Sequence, residues 1–268
     1  MAVDSHIQLP KGILKYFTDL DNQVWYLDVD TCEIDSKGAS VLGAKYGYFS
    51  DDVETYLQKY IENPITQVNA HVRKCLANEP SSLKFSARTT ERLRNFVIAA
   101  MARSNLAKQS LLSTLSSPSP KHDRKYNDAL IKKGMTHFCA DQSFLRGYTI
   151  GVIINKTQHP LVTLRNCFYT LDRGDYHSII VPISPTAALA LHSKCDLSSS
   201  GEPIYVGEII DDETEIEKLN IRAMLYEYIY NKTFIATNDK AELLRLSEVL
   251  KKDRHIFEAI RVNARKGI

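Results

Sequence analysis

Long apolar runs, clustered glycines and paired cysteines are all missing from this 268-residue chain, and each absence removes a class of protein. The longest apolar stretches, Phe96 to Ala102 and Ile150 to Ile154, fall far short of the ~20 apolar residues that cross a bilayer, so no membrane partner is expected. Met1 to Gln8 soon turns polar and lacks the basic start and apolar run of a signal peptide, which makes the cytoplasm the expected location. The five cysteines (Cys32, Cys75, Cys139, Cys167 and Cys195) are odd in number and never spaced C-x-x-C, a pattern that fits free thiols in a reducing compartment. The 11 glycines are scattered, so no Walker or Rossmann phosphate loop precedes a helix. No G-x-S-x-G elbow is present, and Arg173 stands too close before His177 for the arginine-histidine pattern of helical ribonucleases. A dominant charge is missing too: 34 basic against 32 acidic residues leave +2, so any contact with nucleic acid must be local.

Hydrophobic residues at 44% and charged residues at 25% are globular values, and a chain of this length buries roughly three quarters of its unfolded surface. The densest β-pattern runs from Gln158 to His192. Leu161 to Thr170 reads as one strand, Asp172 to Asp175 as a turn, Tyr176 to Ile183 as its antiparallel partner and Ala187 to His192 as a third strand. Further strands are expected at Gln23 to Asp30, pairing near Ser40 to Ala44, and at Thr149 to Ile154, Ile204 to Ile210 and Phe234 to Thr237.

Helical spacing marks a segment capped by Asp51-Asp52, interrupted at Asn63-Pro64 and resumed over Ile65 to Leu76. A longer helix opens at Ser86 and is expected to reach about Leu112; a short one covers Tyr126 to Lys133 and closes at Gly134. Ser113 to Arg124, rich in hydroxyl residues and prolines, reads as a mobile loop. Two more helices are expected, Glu213 to Tyr230 behind Asp211-Asp212 and Asp239 to Lys251, while Arg254 to Ile268 is expected on the surface or frayed. Segregated helices and antiparallel strands imply an α+β fold, with a helical half over roughly 51–137 packed on a mixed, mainly antiparallel sheet in one domain spanning 1–268.

Few residues announce chemistry. His137, Cys139 and Asp141 share one face if extended, and His71 and Cys75 meet one helical turn apart, but no second ligand pair follows at zinc spacing, so no metal site is assigned. Arg88, Arg92, Arg94 and Arg103 form either a solvated helix face, the preferred reading, or a phosphate-positioning stripe. The tyrosines around Tyr48 and Tyr226 read first as core filling and second as stacking platforms for bases.

Several short motifs, in order, resemble the uncharacterised, mainly bacterial domain-of-unknown-function family 4238, over about His6 to Leu250. Pro10, Leu14 and Phe17 fit its P-x-x-x-L-x-x-F opening, with His6 one residue further from Pro10 than the family histidine. Lys45 to Phe49, Ile61-Glu62 and Arg103-Ser104 fit its helical half, and Val181-Pro182-Ile183-Ser184-Pro185 and Leu219-Asn220 fit two later motifs. Its T-S-D-N-P motif corresponds to Thr163-Leu164-Arg165-Asn166-Cys167, where Arg165 replaces the acid and Cys167 the proline. If the family acid ligates a metal or catalyses, this chain has lost it, since a guanidinium cannot ligate a cation; Arg165 can instead grip phosphate or carboxylate.

The expected function is that of a bacterial or prophage-type accessory protein, related to phage defence or a toxin system, that binds or acts on nucleic acid or a nucleotide. Arg103, Arg165 and Asn166 are its expected substrate-binding residues, and the cofactor is unknown. A non-enzymatic module regulating a partner protein is the alternative. A third reading, a hydrolase, requires His6, Glu62 and Asn220 as catalytic residues to converge in space.

Overall fold

In the computed structural model, which describes residues 4–6, 9–46, 48–78, 86–104, 124–140, 148–172, 177–193 and 205–266, the two-residue side-chain period of the strands divides the interior in two. A five-stranded sheet runs in the order β10 (Tyr205–Ile210), β5 (Thr149–Asn155), β9 (Ala187–His192), β8 (His177–Ser184) and β7 (Tyr169–Asp172). Only the β10–β5 pair is parallel. Along β8, Ile179, Val181 and Ile183 enter one core while Ile180 enters the other; β9 likewise sends Leu189 and Leu191 one way and Ala188 and Ala190 the other. The first core also holds the helical half, α2 (Asp51–Tyr56) through α4 (Ala87–Arg103), and the second the C-terminal helices. The fold is α+β, as the segregated pattern implies.

A second, antiparallel sheet has the order β3 (Ile34–Gly38), β2 (Gln23–Asp28), β11 (Phe234–Thr237) and β6 (Thr163–Leu164). It corrects the expected partner of β2, which is Ile34–Gly38 rather than Ser40 to Ala44. The cause is local. The Asp28 carboxylate accepts from the N–H groups of Asp30 (2.9 Å) and Thr31 (3.0 Å), and Cys32 takes a positive φ of 62°, turning the chain back at once. Ala44–Tyr46 (β4) pairs instead with β1 (Asp4–His6).

The expected single strand Leu161 to Thr170 is also two strands. Thr163–Leu164 pairs with β11 in one sheet and Tyr169–Asp172 with β8 in the other. Between them Cys167 N–H bonds Leu164 C=O at 2.9 Å, and Cys167 adopts φ 67°, so Arg165 and Asn166 occupy a tight turn where the chain changes sheets. Of the expected turn Asp172 to Asp175, residues 173–175 lie outside the described residues.

Four helix boundaries differ from expectation. Ser50, not the Asp51-Asp52 pair, caps α2 by accepting from Val53 N–H. Asn63-Pro64 causes no break: α2 passes through a π-helical turn, Leu57–Glu62, into α3 (Asn63–Asn78). Pro64 has no N–H and its ring crowds the carbonyl one turn back, so the ladder widens rather than ends. The long helix α4 stops at Arg103, with 105–123 outside the described residues, including nearly all of the expected mobile loop. Gly134 does not close a helix; α5 (Arg124–Ala140) runs through it, and the glycine is buried along a helix that packs against α4. After α6 (Glu213–Tyr230) and α7 (Lys240–Lys252), the stretch expected on the surface or frayed forms a largely exposed helix, α8 (Arg254–Lys266), anchored by the buried Phe257 in the second core.

The short helix α1 (Lys11–Leu14) contributes Ile13 and Leu14 to the first core and lies so close to α3 that a Cβ on Gly12 would meet Thr66 Oγ1 at 2.7 Å. That hydroxyl is held by a 3.3 Å bond to Glu62 C=O. Gly12→Ala should therefore destabilise the protein by about 1–3 kcal/mol. Thermal unfolding should show a lowered Tm, partly restored in Gly12→Ala/Thr66→Ala; an unchanged Tm would mean that α1 shifts freely.

Candidate functional site

The apolar stripe of α4 (Leu93, Phe96, Val97, Ala100) turns its last residue, Arg103, into the first core rather than toward solvent. Its side chain is 0% exposed, and its Nη1 donates to Glu62 Oε1 at 2.9 Å while Nε donates to Ala99 C=O at 3.3 Å. Glu62 ends the π-helical turn before Pro64, so the widened ladder brings this carboxylate to the guanidinium. The expected arginine series is thereby divided: Arg88 is exposed, Arg94 reaches Tyr148 C=O at 3.4 Å, and Arg103 is buried in an ion pair.

The sheet-changing turn brings Arg165 and Asn166 to the same region. Arg165 is half-buried, with its Nε enclosed and without a hydrogen-bond partner among the described residues; the same holds for Oδ1 of the buried Asn166 and Oγ1 of the buried Thr163. Cys167, next in the chain, is fully buried, and the charges of Arg103, Glu62 and Glu227 all reach its thiol. Burial pushes that thiol far above its ordinary value, so it stays protonated and is no nucleophile.

Glu227 completes the cluster. It is fully enclosed on α6, where Thr233 Oγ1 and Asn231 Nδ2 (3.2 Å) donate to its carboxylate. Burial pushes its carboxyl up to about 7, opposed by those two hydrogen bonds and by the charge of Arg165. Tyr48 stands half-buried at the same junction: burial raises its phenol and Arg165 acts against that rise. A cavity of about 10 Å³, room for about one water, lies between Tyr48, Arg103 and Asn127.

Four of the six expected site residues, Glu62, Arg103, Arg165 and Asn166, thus come together; the other two do not join them in the described geometry. Asn220 sits against the second core. Its Oδ1 accepts from Val162 N–H (3.0 Å), and its Nδ2 donates to Pro160 C=O (2.8 Å) and Glu242 Oε1 (2.7 Å), so the amide is fully used in tying a loop to α7. His6 pairs through its backbone with Ala44, and its side chain is outside the described residues, as are those of His71, Cys75, His137, Cys139 and Asp141. Among the described residues no three His, Cys, Asp or Glu side chains are grouped to hold a metal, and no helix is long and apolar enough to cross a membrane.

Glu227 was not foreseen, although one signal was legible: it continues the apolar stripe Ile216, Leu219, Ala223 at helical spacing, where an acid must be buried. Comparisons with protein-family models, curated proteins and solved structures find no match to this chain.

The folded protein keeps the Glu227 proton up to about pH 7, whereas an unfolded glutamate loses it near 4.5. Folding is thus favoured by this group below pH 4.5, and its contribution is lost as pH rises through about 7. Glu227→Gln should abolish that loss. In denaturant titrations the stability difference between wild type and variant should change by roughly 3 kcal/mol across this interval, and a pH-independent difference would contradict it.

Proposed function

We propose that the protein binds a nucleotide, or a phosphate-bearing stretch of nucleic acid, where the Arg165 turn meets the helical half. The observation that carries this reading is the half-buried Arg165 guanidinium, which no protein group in the described structure satisfies by a hydrogen bond or ion pair. An arginine held at its backbone and left unpaired at its head is suited to a phosphate, which it grips through two parallel hydrogen bonds. Tyr48 lies within the electrostatic reach of that guanidinium, and the Lys45 ammonium sits 5.6 Å from its ring centre, adding a second cation to the junction. Arg103, neutralised by Glu62, frames the site rather than contacting phosphate in this arrangement. These groups support binding, and a role as a bacterial or prophage-type accessory protein in phage defence or a toxin system rests on the family resemblance. The set His6, Glu62 and Asn220 draws no support, because Asn220 is committed elsewhere.

A second reading, a non-enzymatic module that regulates a partner protein, is favoured by a groove of about 350 Å³ between α2 and α5. Its floor is Val53, Leu57, Ile131 and Met135, and its rim carries the exposed Tyr56.

Native mass spectrometry of the purified chain, compared with its denatured mass, separates the two. A bound nucleotide or oligonucleotide is expected, and Arg165→Ala should weaken its binding by about tenfold or more, the cost of a lost charge-assisted bond. Arg103→Ala should weaken it through the collapsed frame, with circular dichroism checking that each variant folds. Unchanged affinity in both variants would remove this reading, and a bare or integer-multiple mass would favour the module.

A further inference from the structure

The phosphate-binding reading leaves one ionisable group of the junction unused. Glu227 is fully buried, and the described contacts of its carboxylate are two neutral donors, Thr233 Oγ1 and Asn231 Nδ2. Arg165 N–H donates to Phe234 C=O at 3.2 Å, and Phe234 directly follows the Thr233 whose hydroxyl bonds Glu227, so the Arg165 turn lies beside this carboxylate and its charge reaches it without an ion pair among the described residues. Other charged groups nearby are already engaged. Lys232 gives its ammonium to Asp30 at 2.8 Å, Arg103 is paired with Glu62, and Glu258 gathers the Tyr228 hydroxyl and Arg261. Cys167 and Tyr226, the titratable neighbours that share the electrostatic field of Glu227, are held neutral by burial.

Resting on that reading of Arg165, we propose that the anion site is proton-linked: an anion that occupies the Arg165 guanidinium brings one proton from solvent onto Glu227. A single guanidinium cannot offset both an arriving anion and a carboxylate enclosed in a dry core, because each competes for the same positive charge. The anion has solvent access through the half-buried guanidinium, so the enclosed carboxylate is the group that gives way by becoming neutral. No bond to carbon or phosphorus changes. The carboxylate and a proton become the carboxylic acid, which keeps Asn231 Nδ2 as a donor to its remaining acceptor oxygen and, after rotation of the Asn231 amide, can itself donate toward Asn231 Oδ1, which has no partner among the described residues. The linkage is useful near neutrality because burial has already moved the Glu227 carboxyl up to about 7. Lower pH then strengthens anion binding and higher pH weakens it.

Sulfate is the probe of choice because its charge stays constant over this range, whereas phosphate monoesters titrate within it. Isothermal titration calorimetry of the full chain should show sulfate affinity falling by about fivefold to tenfold between roughly pH 6 and pH 8. Near neutrality, titrations in two buffers of different ionisation enthalpy should report net proton uptake. Glu227→Gln, which keeps the shape of the side chain, should bind sulfate with the same affinity at both pH values and take up no proton. Wild-type affinity that is equal at both pH values overturns the linkage and leaves the anion site standing. A variant with the wild-type pH dependence overturns the assignment to Glu227. No sulfate binding at either pH by folded wild type removes the anion site, and the linkage with it.

Discussion

The ion pair between Arg103 and Glu62 is the constraint around which the helical half is arranged. A guanidinium with no exposed surface costs several kcal/mol to desolvate, and only a close carboxylate with further hydrogen bonds offsets that cost. The stripe of α4 forces the burial and the π-helical turn before Pro64 supplies the carboxylate, so a local irregularity in one helix answers a global demand of another. The pair is held within the protein, Arg103 Nη1 by Glu62 and Nε by Ala99 C=O. It therefore lends rigidity to the junction while leaving the second arginine there as the available cation.

That second arginine owes its place to a chain crossing. Thr163–Leu164 and Tyr169–Asp172 belong to different sheets, and the turn joining them projects Arg165 toward α6 and the Tyr48 loop. Two sheets, a helix and a loop converge there, which is where partly satisfied polar groups are expected to accumulate in a site for a ligand. Thr163, Arg165 and Asn166 each carry an enclosed polar atom without a partner among the described residues, and burial raises the Glu227 carboxyl. Outside this turn, Asn69 Oδ1, Arg94 Nε and Arg261 Nε are also enclosed without a hydrogen-bond partner among the described residues.

The Asn220 network shows what satisfaction looks like in the same molecule. Asn220, Arg245 and His159 converge on Glu242: Arg245 donates to it at 2.7 and 3.1 Å, and His159 Nδ1 meets it at 3.1 Å. With both ends of the Asn220 amide engaged by loop backbone and Glu242, this set locks residues 159–162 to α6 and α7. Its polar atoms have protein partners, so it reads as a clamp. Two asparagines that look alike as motif residues, Asn166 and Asn220, are thus separated by one physical criterion: whether the buried amide oxygen is bonded.

Local chemistry determined much of this protein in advance. The periodic stripes of α4 and α6, the Asp239 and Asp212 caps, the Phe234–Thr237 strand and the segregated α+β pattern are all written in residues near one another in the chain. Of the site, the motif positions Glu62, Arg103, Arg165 and Asn166 could be named. Their roles could not, because a charged residue at the end of a helix reads as solvated until the surface opposite it is known. Tertiary structure alone decided that Arg103 is buried, that Leu161 to Thr170 serves two sheets, that Gly134 lies inside a helix, and that Asn220 faces the other core. Spacing along a chain encodes which face of an element is apolar. Desolvation and charge pairing depend on what the rest of the fold places across from it.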